Sequence, residues 1–248
     1  MPSAKDVTVE TEFIKAMSVG DPGSGKSVFG STFPTPGFVF DFANGIVSYR
    51  GLDFDYEQYP LAPIGWTKFE QDLARVKKEV KEGKYKSVIV DDLSSMTDLC
   101  MERSLQLDPH RSPTGGPVWN IHYMMVRNLM EGRLRQLIDL PANVLFIGHL
   151  DIERDEESGA IVKVQPMLTG QLAVKIPGYF DEVYYHTTKR EGGDTKFLMQ
   201  TVPIGWNHGR SRLSGKQRLL PDVIENDYTV LMDYLTGKRK KDKTPNTK

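Results

Sequence analysis

Glycines, a lysine and a serine recur at a fixed spacing near the start of the chain, in Gly20-Asp21-Pro22-Gly23-Ser24-Gly25-Lys26-Ser27. Glycines at this spacing let consecutive backbone N–H groups turn inward and form a nest for phosphate oxygens. A following helix would present its positive end to the same phosphates, and Lys26 would add a point charge at the β and γ phosphates. The hydroxyl of Ser27 is suited to ligate Mg²⁺. This spacing therefore predicts a P-loop that binds ATP and Mg²⁺.

The segments on either side of this loop are those that a P-loop requires. An apolar run, Phe13–Val19, precedes the loop and Val28-Phe29 follows it, so the loop would connect a strand to a helix. A Gly-rich turn without a ligand is the alternative, which this context disfavours. The residues that we expect to bind the nucleotide are Asp21, Pro22, Gly23, Ser24, Gly25, Lys26, Ser27 and Val28.

Two acids stand at the end of a second apolar run, Ser87–Asp91 followed by Asp92. An aspartate at a strand tip, opposite the serine of a P-loop, holds Mg²⁺ through water, and Asp91 fits this role. Asp92 is placed to orient the attacking water as a general base. The alternative for the pair is a helix N-cap with a solvated neighbour. The sequence thus predicts Ser27 and Asp91 as metal ligands and Asp92 as a catalytic residue.

His149 follows a third apolar run, Asn143–Gly148. A polar side chain at such a strand tip can sense the γ-phosphate and transmit its loss to the next loop. We therefore predict a catalytic role for His149, and the alternative is a core or surface histidine with a local hydrogen bond.

The elements that must position these residues indicate an α/β fold with a mainly parallel sheet flanked by helices. Short runs that are apolar at consecutive positions are typical of parallel strands covered on both faces; they are Phe13–Val19, Phe38–Phe42, Ser87–Asp91 and Asn143–Leu150. Helical patterns separate them. Thr67–Glu70 has the form of a capping box that starts one helix, and Asn120–Leu140 predicts another, stopped by Pro141.

The pattern changes after residue 160. Three segments there predict strands, with a hairpin turn over Arg190–Thr195 between the last two; they are Ala160–Val164, Asp181–Lys189 and Lys196–Pro203. Pro221 is expected to open a final helix that Gly237 caps. Residues 1–237 would thus form one domain, a parallel core extended by C-terminal antiparallel strands.

Composition fits a globular protein of 248 residues, with 39% apolar and 26% charged residues. A single cysteine, Cys100, excludes an internal disulfide and disfavours a cysteine-based metal site. No stretch approaches the ~20 apolar residues needed to span a bilayer, and Met1–Glu12 lacks an apolar segment of signal-peptide type. We expect a cytoplasmic protein with no membrane partner.

The net charge of −1 hides a basic end. Residues 238–248 hold six Lys or Arg and one Asp, which gives them +5 and leaves −6 on the rest of the chain. Such a tail acts either as an electrostatic arm or as a solvated, disordered end that aids solubility.

Further motifs follow the P-loop in a characteristic order. They are Phe33-Pro34 before a strand ending in Asp41, Val88–Asp91, Gly148-His149, Pro166-x-Leu168-Thr169-Gly170 and Phe180-Asp181-Glu182-Val183. Together they resemble the phage-type RecA-like ATPases that act as single-strand annealing proteins in phage recombination, over roughly residues 13–220. The resemblance implies a RecA-like P-loop NTPase core that binds ATP and assembles as a homo-oligomer, a ring or filament. It also implies binding to single-stranded DNA, alone or together with a single-strand DNA-binding protein, and a location in the host cytoplasm if the chain is phage-encoded.

DNA would be bound by loops beyond the strand tips, Leu107–Trp119 and Asp151–Gln171. The first carries His110, Arg111 and Trp119, cations and an aromatic ring suited to phosphates and base stacking. The second is acidic at its start, which argues against a simple phosphate groove. The alternative is that Trp119 is buried in the core and residues 151–159 form a solvated turn.

The chain departs from the RecA-like pattern in two places. The catalytic Glu after the second strand is missing from Asp41-Phe42-Ala43-Asn44-Gly45, so either Asp41 or Asp92 replaces it or hydrolysis is weak. Arg210-Ser211-Arg212-Leu213-Ser214-Gly215 resembles the Lys-x-Arg-x-Gly element that such ATPases insert into a neighbouring subunit's site, with the Gly offset by one. The resemblance implies a catalytic role in trans for Arg210 and Arg212, since a positioned arginine stabilises γ-phosphate charge.

The sequence predicts an ATPase acting on single-stranded DNA in phage recombination or strand annealing. A nucleotide-gated binding module with little hydrolysis is the first alternative. A P-loop motor or small-molecule kinase that does not act on DNA is the second.

Overall fold

The computed structural model describes residues 13–241. Thirteen strands occur within this range: β1 (Lys15–Gly20), β2 (Gly37–Asp41), β3 (Phe54–Gln58), β4 (Ser87–Asp91), β5 (Asn143–Gly148), β6 (Leu150–Arg154), β7 (Ile161–Pro166), β8 (Glu182–Glu191), β9 (Asp194–Gln200), β10 (Pro203–Ile204), β11 (Asn207–His208), β12 (Arg210–Ser211) and β13 (Val223–Glu225). The α-helices are α1 (Lys26–Ser31), α2 (Pro63–Lys81), α3 (Leu93–Leu107), α4 (Met124–Ile138), α5 (Leu172–Lys175) and α6 (Tyr228–Leu235). Short 3₁₀ turns span Ile46–Tyr49 and Ile176–Tyr179, and a π-helical turn, Trp119–Tyr123, leads into α4.

One large sheet organises the molecule, in the order β3-β2-β4-β5-β1-β8-β9-β13, with β12 also paired to β8. Six neighbouring strands of this sheet are parallel to one another, namely β3, β2, β4, β5, β1 and β8. In contrast, β9 and β12 are antiparallel to β8, and β13 is antiparallel to β9. The predicted fold class, a mainly parallel sheet flanked by helices and extended by C-terminal antiparallel strands, is confirmed.

The central strands are buried at consecutive positions, as strands covered by helices on both faces must be. Every residue of β2, β4 and β5 is buried. In parallel pairing, residues at the same level come together, so Asp41 at the end of β2 lies beside Asp91 at the end of β4. Val19 near the end of β1 likewise pairs with Gly148 at the end of β5. The register thus places the strand tips that carry the predicted site residues at one edge of the sheet.

Two predicted helix starts are wrong. Helix α2 begins at Pro63, so Thr67 lies inside the helix and forms no capping box. Pro221 does not open the last helix, because Val223–Glu225 pairs with β9 and α6 begins only at Tyr228, capped by Asp227. Gly237, with φ of 74°, follows the helix as predicted.

The predicted loop over residues 151–171 is mostly a hairpin. Strands β6 and β7 form a separate two-stranded antiparallel sheet that starts two residues after β5 ends. The predicted hairpin turn over residues 190–195 is confirmed and shorter, with Gly192 and Gly193 joining β8 to β9. Residues 1–12 and 242–248, which include most of the predicted basic tail, lie outside the described range.

Within residues 13–241, no helix is long and apolar enough to cross a membrane.

Candidate functional site

The loop between β1 and α1 has the backbone shape that its glycines were expected to allow. Gly23 and Gly25 have φ values of 78° and 92°, in the left-handed region that disfavours residues with a Cβ atom. Gly25 is also packed closely, since a Cβ added there would lie 2.6 Å from the Phe197 ring. Both conformation and space therefore require glycine at position 25.

Lys26 is buried at the start of α1. Its ammonium group donates hydrogen bonds to the carbonyl oxygens of Gly20 (2.9 Å) and Asp21 (2.8 Å). Burial lowers the pKa of Lys26, an effect opposed by the carboxylates of Asp91, Asp92 and Asp21. The loop therefore surrounds a buried cation, which is the charge that phosphate groups require.

Asp91 lies buried at the tip of β4, facing the loop. Burial is the main cause that raises the pKa of its carboxyl to about 6; the neighbouring Ser27 hydroxyl lowers it, and the carboxylates of Asp92 and Asp41 raise it. Its Oδ2 atom is buried and has no hydrogen-bond partner among the described residues. A buried acceptor without a partner is costly, which points to a ligand at this position.

These residues fit Mg²⁺ better than a metal held by protein alone. Within residues 13–241, no group of three or more His, Cys, Asp or Glu side chains is arranged to hold a metal ion. Mg²⁺ is typically held by one or two protein oxygens together with phosphates and waters. Ser27 and the unpartnered oxygen of Asp91 supply that number of oxygens at the P-loop, so they are the residues that would hold the ion.

Asp92 and His149 form a pair beside Asp91. One carboxylate oxygen of Asp92 accepts a hydrogen bond from the Ser95 backbone N–H at 2.8 Å and caps α3. Its other oxygen lies 3.0 Å from His149 Nε2. Burial raises the pKa of Asp92, but His149 and Ser95 outweigh it and leave that pKa below its ordinary value. Asp92 therefore caps the helix, and its predicted catalytic role stays a prediction. Its neighbour Asp91 is buried rather than solvated.

Asp41 lies at the tip of β2 with both carboxylate oxygens engaged. One oxygen accepts hydrogen bonds from the Ala43 and Gly45 backbone N–H groups, and the other accepts one from Gln58 Nε2 at 3.0 Å. These contacts shape the turn after β2. They favour a structural role for Asp41, and its predicted catalytic role stays a prediction.

A cavity of about 360 Å³ is lined by Asp91, Asp92 and His149 together with Lys26 and Ser27. Its other lining residues are Pro22, Gly23, Gly25, Val28, Ala43, Gly45, Ser48, Ile147 and Phe197. Of the predicted nucleotide-binding residues, Asp21 contributes its carbonyl oxygen to the loop and Ser24 is buried with a hydroxyl that has no described partner.

Arg210 and Arg212 lie away from this cavity. The Arg210 guanidinium donates hydrogen bonds to the carbonyl oxygens of Pro177 and Phe180, the latter at 2.7 Å. Arg212, whose side chain is 54% exposed, forms an ion pair with Asp181 at 3.1 Å. Both arginines are thus bound within their own chain, and the predicted action on a neighbouring subunit stays a prediction.

Residues that were not predicted from the sequence also shape this site, and three of them matter for its geometry. Phe197 comes from β9, Asn226 follows β13, and Gly45 sits so close to Asp91 that an added Cβ would lie 2.8 Å from its Oδ2. The side-chain amide of Asn226 donates a hydrogen bond to the Gly25 carbonyl oxygen at 2.7 Å. Only Gly45 stood in a segment that already carried a functional signal.

A second feature lies where the two predicted DNA loops meet. We define the aromatic surface as Trp119, Tyr123, Met124, Arg127, Thr169, Gly170, Gln171 and Leu172, which line a small cavity of about 130 Å³. Trp119 is 68% exposed, so the alternative of a core tryptophan is wrong, and its ring packs on Tyr123 with centroids 4.6 Å apart. His110 instead contacts Asp108, and Arg111 donates hydrogen bonds to the carbonyl oxygens of Asp108 and His110 in the first loop and of Leu105 in α3.

Comparison with known proteins identifies the family. A family model described as an AAA domain matches residues 12–213. A search of curated proteins gave no significant match. The matched region covers most of the chain and contains the P-loop, Asp91 and His149. The chain therefore belongs to the AAA domain family of P-loop ATPases.

Proposed function

We propose that this protein binds and hydrolyses ATP with Mg²⁺ and uses that cycle to act on single-stranded DNA. The observation that carries the nucleotide part is the meeting of Lys26, Ser27 and Asp91 in one cavity under the P-loop. Family membership supports it independently. When bound, Mg²⁺ would neutralise charge on the phosphate oxygens.

The chain's own residues divide the work of hydrolysis. Lys26 supplies fixed positive charge at the phosphates, and the inward-turned loop supplies backbone donors. The ring of His149, which lines the cavity, is held by Asp92 at 3.0 Å through Nε2, and its Nδ1 atom has no partner among the described residues. An imidazole bonded to a carboxylate through one nitrogen can accept a hydrogen bond from a water at the other nitrogen, so His149 is suited to orient the attacking water and to take up its proton.

The aromatic surface supports the DNA part of the proposal. Exposed aromatic rings stack on unpaired bases of any sequence, at about 1–3 kcal/mol per base. Trp119 offers such a ring, and Arg127 next to it donates a hydrogen bond to Gln171 at 3.1 Å. An exposed tryptophan on a patch built from both predicted DNA loops is the feature of this surface that fits single strands.

A short path joins the cavity to this surface. The His149 carbonyl oxygen accepts a hydrogen bond from the Met167 backbone N–H at 2.8 Å, at the end of the β6–β7 hairpin. Three residues later, Gly170 lies against Trp119, since a Cβ atom added to Gly170 would be 3.6 Å from the Trp119 ring. We infer that a shift of His149 on loss of the γ-phosphate is transmitted along this path, as switch loops are in other nucleotide-dependent proteins.

Assembly as a homo-oligomer and cooperation with a single-strand DNA-binding protein are also part of the proposal. They rest on the resemblance to phage-type RecA-like ATPases, as does a role in phage recombination. Light scattering with and without ATP tests the first, and an annealing assay on DNA coated with such a protein tests the second.

The experiment that tests the proposed function is ATP hydrolysis with and without single-stranded DNA. We expect DNA to stimulate hydrolysis by the wild type, Lys26→Ala to remove hydrolysis, and Trp119→Ala to remove only the stimulation. Trp206→Ala is the matched control, since Trp206 is a half-exposed tryptophan outside the aromatic surface. Hydrolysis that is indifferent to DNA in all variants would contradict the DNA part and leave the nucleotide part standing.

A nucleotide-gated binding module is the second candidate. It is favoured by the missing Glu and by the engagement of both carboxylate oxygens of Asp41 and of Asp92. Asp91 is then the remaining carboxylate in the cavity, and it is needed for the metal. Tight ATP binding with negligible turnover in both the wild type and Asp92→Asn would establish this alternative.

The basic end of the chain can be tested in the same system. Deleting residues 238–248, with their six Lys or Arg, should weaken DNA binding and reduce its salt dependence if these residues contact phosphates. An unchanged salt slope would assign the tail to solubility.

A further inference from the structure

The cavity under the P-loop has two chemically different ends. Asp91 and His149 lie at the tips of β4 and β5, on one side of β1 in the sheet. Phe197 lies in β9, two strands away on the opposite side of β1. The P-loop, which follows β1, stands between them.

A nucleoside triphosphate bound here must extend across the P-loop from one side of β1 to the other. In a P-loop, the lysine contacts the β and γ phosphates and the metal lies beside them. Lys26 and Asp91 therefore fix the γ-phosphate end on the β4–β5 side. The nucleoside, at the other end of the phosphate chain, then lies on the side of β8 and β9.

The side chain that the structure presents on that side is an aromatic ring. Phe197 lines the cavity and is partly exposed, with its ring packed against Gly25. An aromatic face that is partly open beside a phosphate site is suited to contact a ribose or to stack on a base.

The strand that carries this ring and the P-loop are bound to buried neutral groups. The Asn226 amide bonds to the Gly25 carbonyl oxygen, as described above, and the Asn226 backbone N–H donates to the Phe197 carbonyl oxygen at 3.2 Å. Beneath them, His186 is buried and shares a hydrogen bond of 2.8 Å with the Ser18 hydroxyl. Burial, with Lys26 nearby, lowers the pKa of His186 to about 3, so His186 itself is neutral at neutral pH.

We propose that Phe197 contacts the nucleoside part of ATP, so that the C-terminal antiparallel strands complete the nucleotide site. This inference rests on the proposed function, because it requires that the P-loop binds a triphosphate. It adds a binding residue that the P-loop motif does not contain, and it gives the antiparallel extension a role in the site.

The chemistry of the ring also sets the selectivity. A phenylalanine has no hydrogen-bonding group, and the Asn226 amide is already bonded to the loop. Stacking is tolerant of base identity because every base has a π-face. Phe197 would thus strengthen the binding of ATP and GTP to a similar degree.

The test compares ATP with inorganic tripolyphosphate, which has the phosphate chain but no nucleoside. Dissociation constants would be measured by calorimetry, with Mg²⁺, for the wild type, Phe197→Ala, Phe197→Leu and Phe197→Tyr. Leu198→Ala is the matched control, since Leu198 is the next residue of β9 and does not line the cavity. Phe197→Leu keeps apolar bulk against Gly25, and a thermal melt of each variant establishes that it is folded.

We expect Phe197→Ala and Phe197→Leu to weaken ATP binding about tenfold, the loss of one stacked ring, with tripolyphosphate binding unchanged. Phe197→Tyr should retain ATP affinity and Leu198→Ala should change neither ligand. Equal losses for both ligands would overturn the proposal, because the ring would then only support the loop; so would no loss at all. Lys26→Ala tests the nucleotide site separately from the role of Phe197. If this substitution weakens the binding of neither ATP nor tripolyphosphate, the proposed nucleotide site itself is wrong.

Discussion

Carboxylates and a histidine lie on one side of the P-loop, whereas a phenylalanine, an asparagine and a buried neutral histidine lie on the other. We call the first group, with Asp91 and His149 at the tips of parallel strands β4 and β5, the polar wall. We call the second group, with Phe197 and Asn226 from the antiparallel extension, the neutral wall. We propose that the polar wall acts on the γ-phosphate and that the neutral wall holds the loop and the nucleoside.

Asp91→Asn should stabilise the protein without ligand at neutral pH. The pKa of Asp91 is about 6, against an ordinary 3.8, because the charged form is buried. Above pH 6 the folded protein therefore carries the cost of that charge, at most about 3 kcal/mol for two pKa units. Between pH 6 and 4 the wild type regains this stability by binding a proton, so the difference between the two proteins should vanish.

Urea unfolding of both proteins at pH 8, 6 and 4 measures this difference. His186 changes the free energy of unfolding with pH in the opposite direction. Because its pKa is lowered in the folded protein, the protein loses stability as pH falls below the ordinary value of 6.5. This loss is the same in both proteins, so it cancels in the difference between them. An Asp91→Asn protein that is less stable than the wild type at pH 8 would show that the carboxylate is not an uncompensated charge.

Gly45→Ala should disturb the polar wall alone. Its new Cβ would lie 2.8 Å from Asp91 Oδ2, so the carboxylate must move at a cost of about 1–3 kcal/mol. We expect affinity for Mg²⁺–ATP to fall about tenfold, with little change in affinity for ATP in EDTA. Gly132→Ala is the control, because an added Cβ in the middle of α4 meets no described atom within 4 Å. Equal losses with and without Mg²⁺ would place the damage in the loop rather than at the carboxylate.

Asn226→Ala should disturb the neutral wall alone. It removes the hydrogen bond of 2.7 Å to the Gly25 carbonyl oxygen, which costs about 1–2 kcal/mol of unfolding free energy. ATP and tripolyphosphate should both bind more weakly, since the loop itself is loosened, and the Mg²⁺ dependence should stay. Asn207→Ala, which removes a bond to Gln200 away from the P-loop, is the control. Loss of affinity for ATP but not for tripolyphosphate would mean that Asn226 contacts the nucleoside.

Arg212→Ala should have the smallest effect. Its ion pair with Asp181 is exposed, and such pairs contribute less than about 1 kcal/mol to stability. We expect hydrolysis to be unchanged at protein concentrations where any oligomer is complete. A fall of about a thousandfold would instead support the role in a neighbouring subunit's site that the sequence suggested.

The polar wall was predictable from the sequence and the neutral wall was not. The P-loop, Asp91 and His149 each follow a short apolar run, so their order along the chain already implies one edge of a parallel sheet. Asn226 lies 201 residues from Gly25 and beyond the matched family region, so no local pattern connects them. Only the pairing of β13 with β9 brings it to the loop.

The same distinction explains the wrong helix starts. Pro221 is a valid first residue for a helix, but the pairing of Val223–Glu225 with β9 outweighs that local preference. Thr67 and Glu70 match a capping box, yet the helix extends back to Pro63. Local signals predicted where elements lie, and tertiary contacts decided where they begin.

We propose that Ser27 and Asp91 hold Mg²⁺ beside the phosphates of a bound nucleotide. Calorimetry of ATP binding, with Mg²⁺ and with EDTA, would compare the wild type with Ser27→Ala and Asp91→Asn. We expect Mg²⁺ to strengthen ATP binding to the wild type and either substitution to remove this gain while binding in EDTA persists. A gain from Mg²⁺ that survives in both variants would contradict it.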